Sequence, residues 1–464
     1  MPLLITNGRI VTATDDYEAD IYCADETITR IERSIDPATV PPEAEWIDAA
    51  GRYVFPGFID PHVHVHLPFR GTHARDTWVS ISRAALVGGT TTLIEMICPT
   101  RDDDLMEAFH LWTGKAAGVA ACDYSFHMGV PRFDHGAAAQ LREIADSGIS
   151  SFKVFLAYKG ALGVDDEELY RTLKLATEVG AIVTAHCENE TLVAERQREL
   201  VSAGRTGPQW HEPSRPVQVE AEGVHHLMTF ARLAGAAVYV VHTSCEPAVL
   251  VAQRARERGA RVWIESVIPH LVLDRTCAER ENFDGAKYIM SPPLREARHP
   301  AFLWDALRSR VISTVATDHA PFDFAGQKEM GRPPRGDFTD IPNGIPSVEH
   351  RVDLLYTHGV VAGRIDLNTF VDCASTQAAR LFGLEGKGSI AVGYDADLVV
   401  YDGDHRWTVS GEDHHMATDH SVFEGWRLRG RASVVTVRGK VMVRDGRFVG
   451  ELGGGRLLRR AAVH

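Results

Sequence analysis

A closed parallel (β/α)8 barrel, joined by a small composite β-sandwich domain from both termini, is the α/β fold that the sequence predicts. Three observations carry it. Apolar strand-like segments recur eight times from about residue 53 to residue 317. Stretches of helical periodicity separate most of them. Short strand patterns with turn residues fill the first fifty residues and return after residue 388. A parallel sheet needs both faces covered, and closing it removes its edges, so a barrel is preferred to an open doubly wound sheet.

Taken in order, residues 3–13, 18–22 and 28–31 read as short strands, with Asn7-Gly8 as a tight turn or bulge. The eight barrel strands are expected at 53–59, 91–97, 122–128, 151–156, 181–186, 237–242, 261–267 and 311–317. Helices are expected at 78–87, 102–117, 135–146, 165–178, 188–203, 217–233 and 248–257. The tail gives strands at 396–401, 433–438, 440–444 and 447–449. The domains expected from this pattern are 1–55 and 386–447 for the β-sandwich, 56–385 for the barrel, and 448–464 for a C-terminal arm.

The chain has 464 residues and a formal charge of -14, from 49 Lys and Arg against 63 Asp and Glu. That balance argues against a nucleic-acid backbone as partner. The seven cysteines are scattered and form no CxxC pair, which reads as a reducing, cytoplasmic setting. Met1–Ile5 does not lead into a basic and then apolar leader. No uncharged apolar run reaches the 18 residues that a membrane span wants.

The chemistry starts at Asp60-Pro61-His62-Val63-His64-Val65-His66. Alternate residues of an extended chain share a face, so His62 and His64 can point at one ion. Barrel enzymes place reacting groups at the C-terminal ends of strands. The polar residues there are Asp60, His62, His64, His127, His186, His242 and Asp318-His319, and their recurrence at one rim reads as a polynuclear metal site. Lys153 stands within an alternating apolar strand, where a charged, unpaired ammonium is costly. It is open to three readings: a neutral nucleophile, a modified residue, or a side chain whose head reaches solvent. Asp318 is placed to ligate a metal and to accept a proton from bound water.

These motifs resemble the dihydropyrimidinase and D-hydantoinase family of cyclic amidohydrolases over essentially the whole chain. The marks are PGFIDPHVHV at 56–65, SFKVFLAYKG at 151–160, AHCEN at 185–189, VHTS at 241–244, SPPLR at 291–295, TDHAPF at 317–322, IPNG at 341–344 and FEGW at 423–426. The resemblance implies a TIM-like barrel and two divalent cations, with zinc the expected ion. His62, His64 and Asp318 would hold one ion, and His186 and His242 the other. Lys153, N-carboxylated, would bridge them. Tyr158 would donate to the developing oxyanion, and Ser291 and Asn343 would bind the ring amide largely through backbone groups. The implied activity is hydrolytic ring opening of a 5,6-dihydropyrimidine or 5-substituted hydantoin to an N-carbamoyl amino acid. The implied assembly is a homotetramer or homodimer with C-terminal arms reaching neighbours. No nucleic acid or membrane partner is expected.

The sequence departs from the family pattern at three places: His66 stands where an acid is common, Cys187 where Ala is common, and Phe58 where Gly is common. Residues 67–76 and 155–162 correspond to the family's stereochemistry loops, and Arg70, His73 and Arg75 make the first unusually polar. Allantoinase or another cyclic-ureide or imide hydrolase is the alternative, with IPNG and SFKVFLAYK favouring the hydantoinase branch. His66 argues against a dihydroorotase, which usually has Arg there. A non-catalytic relative would have lost metal ligands, and here every expected ligand is present.

Overall fold

The computed structural model describes residues 2–69 and 71–462. Nineteen strands run along the chain. The first five are β1 (Leu3–Val11), β2 (Asp16–Ala24), β3 (Thr27–Glu32), β4 (Glu45–Asp48) and β5 (Tyr53–Pro56). Then come β6 (Phe58–Val63), a small hairpin β7 (Pro68–Phe69) and β8 (Thr72–His73), β9 (Thr90–Ile97), β10 (Asp123–Gly129) and β11 (Ser151–Lys159). β12 (Ile182–His186), β13 (Val238–Val240), β14 (Val262–Val267) and β15 (Thr314–Ala316) follow. The last four are β16 (Leu398–Thr408), β17 (Arg427–Val437), β18 (Lys440–Arg444) and β19 (Arg447–Phe448).

Eight strands form the parallel sheet in the order β15-β14-β13-β12-β11-β10-β9-β6. Its two ends meet. Asp318 N donates to His62 O at 3.0 Å and His64 N to His319 O at 2.8 Å. Asp60 reinforces the seam by accepting from the Thr317 hydroxyl at 2.6 Å and the Thr317 amide at 3.2 Å. The barrel is therefore closed by the residues that flank the first and last site motifs.

One expected strand proves to be two. Residues 53–59 divide at Gly57, so that β5 joins the terminal sheet and β6 the barrel. The cause is local crowding: a Cβ at Gly57 would lie 2.1 Å from Thr91 Oγ1. Phe58 fills the floor of the junction, with its ring 5.7 Å from Phe55 and 5.3 Å from Phe370. This departure from the family pattern is a packing residue between barrel and sheet.

The two ends of the chain do form one domain, because β5 pairs with both β1 and β16. Side chains alternate across this sheet. Val54, Leu398 and Val400 enter the core of the composite β-sandwich with Ile5, Ile10 and Ile21. Phe55, Val399 and Tyr401 face the barrel core. The expected irregularity at Asn7-Gly8 is a bulge, with Asn7 at φ 59°. Residues 453–461 lie along the base of their own barrel: Leu458 N donates to Tyr124 O at 2.7 Å and Arg460 N to Gly148 O at 2.8 Å. No helix among the described residues is long and apolar enough to cross a membrane.

Candidate metal centre and substrate cleft

Six side chains from the strand ends converge on one buried point. His62 ends β6, His64 follows it, Lys153 lies in β11, and His186 closes β12. His242 follows β13, and Asp318 follows β15. All six are buried. The rings of His62 and His64 lie 5.2 Å apart, those of His62 and His242 5.4 Å, and those of His186 and His242 4.7 Å.

The closest approaches suit ligands sharing an ion. His62 Nε2 and His64 Nε2 each lie 3.1 Å from Asp318 Oδ1. His186 Nδ1 lies 3.0 Å from His242 Nε2. Two donors bound about 2.0–2.1 Å from a tetrahedral ion sit about 3.3 Å from each other. Several buried nitrogens also lack hydrogen-bond partners among the described residues: His62 Nε2, His64 Nδ1, His242 Nδ1 and Lys153 Nζ. Buried polar atoms are rarely left so; of these His62 Nε2 also faces Asp318 Oδ1, and a cation there would satisfy it.

Outer partners aim the rings. His62 Nδ1 lies 2.7 Å from Glu265 Oε1, and His186 Nε2 lies 2.8 Å from Glu188 Oε2. A carboxylate on the far nitrogen sets the tautomer and leaves the near nitrogen free as a ligand. Burial alone would depress the pKa of His62, but Glu265 and Asp318 outweigh it and raise it to about 9. Burial would raise Asp318, yet the neighbouring His62 and His64 hold it well below the usual carboxylate range. Burial dominates at His64, lowering it to about 4, and at His186 and His242, also lowered. Lys153 is pushed down to about 8 by burial, against the pull of Asp318 and Glu265. Anions gather around His62, and burial keeps His64, His186 and His242 in the neutral form that can ligate.

Three site residues also hold unusual backbone. Tyr158, His242 and Asp318 have φ of 62°, 39° and 51°. Non-glycine residues seldom adopt such values, and they persist where surrounding structure imposes them. Glu190 Oε2 accepts from Tyr158 N at 2.5 Å and pins that turn. The Tyr158 hydroxyl has Ser291 and Asn343 as hydrogen-bonding partners, and its acidity is reduced by burial against the opposing effect of Arg215. All nine residues expected to ligate, bind or catalyse therefore fall into two adjoining groups, linked through Tyr158, whose ring lies 5.4 Å from that of His186.

Other rim candidates are spent elsewhere. His127 uses both nitrogens, on Ser151 Oγ at 2.6 Å and Pro61 O at 2.9 Å. His319 uses Nε2 on Asp76 at 2.7 Å and Nδ1 on Ser347 N at 3.1 Å. The Cys187 thiol donates to Ala185 O at 3.4 Å. His66 offers its amide to Glu95, which also accepts from Val65 N at 3.0 Å. Arg70 lies outside the described residues; Arg75 pairs with Asp323 at 2.9 Å.

Sequence reading missed Glu265, Glu188, Arg215 and Glu95. Glu188 was within reach, standing two residues after His186 in AHCEN. Glu265 was signalled only by a carboxylate inside an apolar strand. A second trio of acids, Asp123, Asp395 and Asp397, could also hold a cation by spacing. It lies at the opposite end of the barrel, and the Lys387 ammonium already occupies it at 2.7, 2.9 and 2.7 Å from the three carboxylates.

Residues 53–442 match the family model described as the Amidohydrolase family. The chain is 46% identical to a D-hydantoinase of Geobacillus stearothermophilus over 463 residues, covering 99% of this chain and 97% of that protein. Among solved structures it is similar to a D-hydantoinase (dihydropyrimidinase) from Thermus sp., with 58% identity, a TM-score of 0.96 and 99% of each chain covered. It is also similar to a dihydropyrimidinase from Brevibacillus agri, with 42% identity, a TM-score of 0.97 and all of both chains covered.

Proposed function

The chain belongs to the amidohydrolase family, within its D-hydantoinase and dihydropyrimidinase group, and from that premise we propose how it works: it opens a 5,6-dihydropyrimidine or 5-substituted hydantoin by hydrolysis, releasing an N-carbamoyl amino acid. The observation that carries this reading is the meeting of four histidines, Lys153 and Asp318 beside the Tyr158, Ser291 and Asn343 group.

In this reading His62, His64 and Asp318 would hold one divalent cation and His186 and His242 a second, zinc being the expected ion. Lys153, as a carbamate, would supply an anionic ligand to this site. Its complete burial, an Nζ without a hydrogen-bond partner among the described residues, and its depressed basicity support that role. Only the neutral amine can add to carbon dioxide, and the resulting anion suits a site built for two cations. When bound, the metal pair would acidify water and polarise the ring carbonyl.

The chain's own residues do the rest. Asp318 takes the proton of the attacking water and returns it to the departing ring nitrogen. Tyr158 donates its hydroxyl proton in a hydrogen bond to the oxygen on which negative charge develops. Ser291 and Asn343 hold the ring amide so that its carbonyl stays within reach of Tyr158. Arg215, whose guanidinium lies 5.6 Å over the Tyr158 ring, favours charge build-up on that side. Residues 56–385 form the catalytic unit in this reading, flanked by sandwich segments 1–55 and 386–447. A homotetramer or homodimer, with the arm 448–464, rests on the family resemblance alone, since residues 453–461 pack on their own barrel. The seven unpaired cysteines support a cytoplasmic setting.

The test is a kinetic panel of dihydrouracil, hydantoin, both enantiomers of a 5-aryl hydantoin, allantoin, dihydroorotate and succinimide. Dihydrouracil or a hydantoin should dominate. Preferred turnover of allantoin or succinimide would overturn the substrate assignment.

A further inference from the structure

Lys328 has no place in the chemistry above, yet it is completely buried. Its ammonium donates to three backbone carbonyls: Ile289 O at 2.9 Å, Pro342 O at 2.6 Å and Gly344 O at 2.8 Å. An ammonium has three N–H donors and no acceptor, so this set exhausts it. Burial pushes its pKa well below the usual range. Even so, three accepting carbonyls at these distances are matched only by the fully protonated amine.

The three carbonyls belong to the two segments that carry Ser291 and Asn343. We infer that Lys328 is a positioning residue for substrate recognition, a cationic brace that fixes the two backbone segments gripping the ring amide. This rests on the proposed hydrolysis of a cyclic ureide and deepens it. Peptide planarity sets a C=O and the following N–H in opposite directions. With Pro342 O turned to Lys328, the N–H of Asn343 is turned away from the brace. Gly344 N donates to Ile289 O at 2.9 Å, so the C=O of Asn343 is turned away from Ile289. Residue 343 thus keeps one donor and one acceptor unspent by the brace. A ring amide, which presents N–H and C=O on one edge, is the matching partner.

The brace also touches the metal loop. Gly344 has φ +151°, and a Cβ there would lie 2.2 Å from Ala320 O. Ile345 bridges His319, next to Asp318. Loosening Lys328 therefore loosens ring recognition first, while the side chains that converge on the metal point keep their own partners.

The experiment compares wild type with Lys328→Met and with the milder Lys328→Gln. It reads KM and kcat for hydantoin, the inhibition constant of hydantoin methylated at its imide nitrogen, and metal content. The methylated ring cannot donate at that edge. We expect KM to rise about tenfold or more in Lys328→Met and less in Lys328→Gln. Metal content should hold, and kcat should fall by less than KM rises. The preference for the unmethylated ring should shrink in both variants. An unchanged KM and an unchanged preference would overturn the brace. Amide exchange in the wild type gives a reading that needs no variant: the amides of residues 289–291 and 343–345 should open as one unit, and independent opening would overturn it equally. A wild type that opens no cyclic ureide at all would instead sink the functional reading beneath it.

Discussion

The two ends of the barrel bury comparable clusters of charge and spend them in opposite ways. At the base, Asp123, Asp395 and Asp397 surround Lys387, and Asp123 also accepts from Arg438 and from Arg456 N. At the rim, His62, His64, Lys153 and His242 each keep a buried nitrogen without a hydrogen-bond partner among the described residues. By ligand type and spacing both clusters could take a metal. What separates them is whether the donors are already satisfied. The base is a finished ion pair network and the rim an unfinished one.

The sharpest break in that contrast is Lys153→Ala. Removing the proposed bridge should cut turnover by more than about 10³-fold, since several kcal/mol of charge stabilisation leave with it. Small carboxylic acids should restore part of the activity.

Lys387→Met reverses the pattern. It strands three carboxylates that are buried or partly buried, and breaking such a network costs about 3–5 kcal/mol. Thermal denaturation should show a large drop in Tm, while whatever protein folds keeps its rim metal and its KM.

Much of the rim was legible because its residues sit in short contiguous motifs. The HxH pair at His62 and His64 needed only the two-residue strand period, and the eight apolar strands gave the barrel. The base was not legible. Asp123 and Lys387 are 264 residues apart, and no local pattern pairs them. The same distance hid Glu265, 203 residues from the His62 it orients. The division at Gly57 was missed because residues 53–59 are apolar throughout, and only the approach of Thr91 in three dimensions reveals the break.

Tyr158→Phe sharpens the contrast within the rim itself. Deleting one oxyanion donor should lower kcat by about 10²–10³-fold. Metal content should remain that of wild type, since the hydroxyl is a substrate group and not a ligand.

The smallest effect is expected at the contact between barrel and sandwich. Asp353 accepts from the Tyr401 hydroxyl at 2.8 Å, and burial outweighs that bond, raising its pKa to about 7. In the unfolded chain the group titrates near 3.9. The folded state thus binds the extra proton between those values, so this group's contribution to stability is greatest below about pH 4 and is lost as pH rises toward 7. Asp353→Asn should raise Tm at pH 8 and leave it nearly unchanged at pH 4.

Metal stoichiometry tests the central contrast most directly. Elemental analysis of protein prepared without chelators should find about two divalent ions per chain, a marked loss in Lys153→Ala, and no change in a folded Asp397→Asn variant. Metal-free wild-type protein that stays inactive on reconstitution, or ions lost from the Asp397→Asn base and kept at the Lys153→Ala rim, would contradict it.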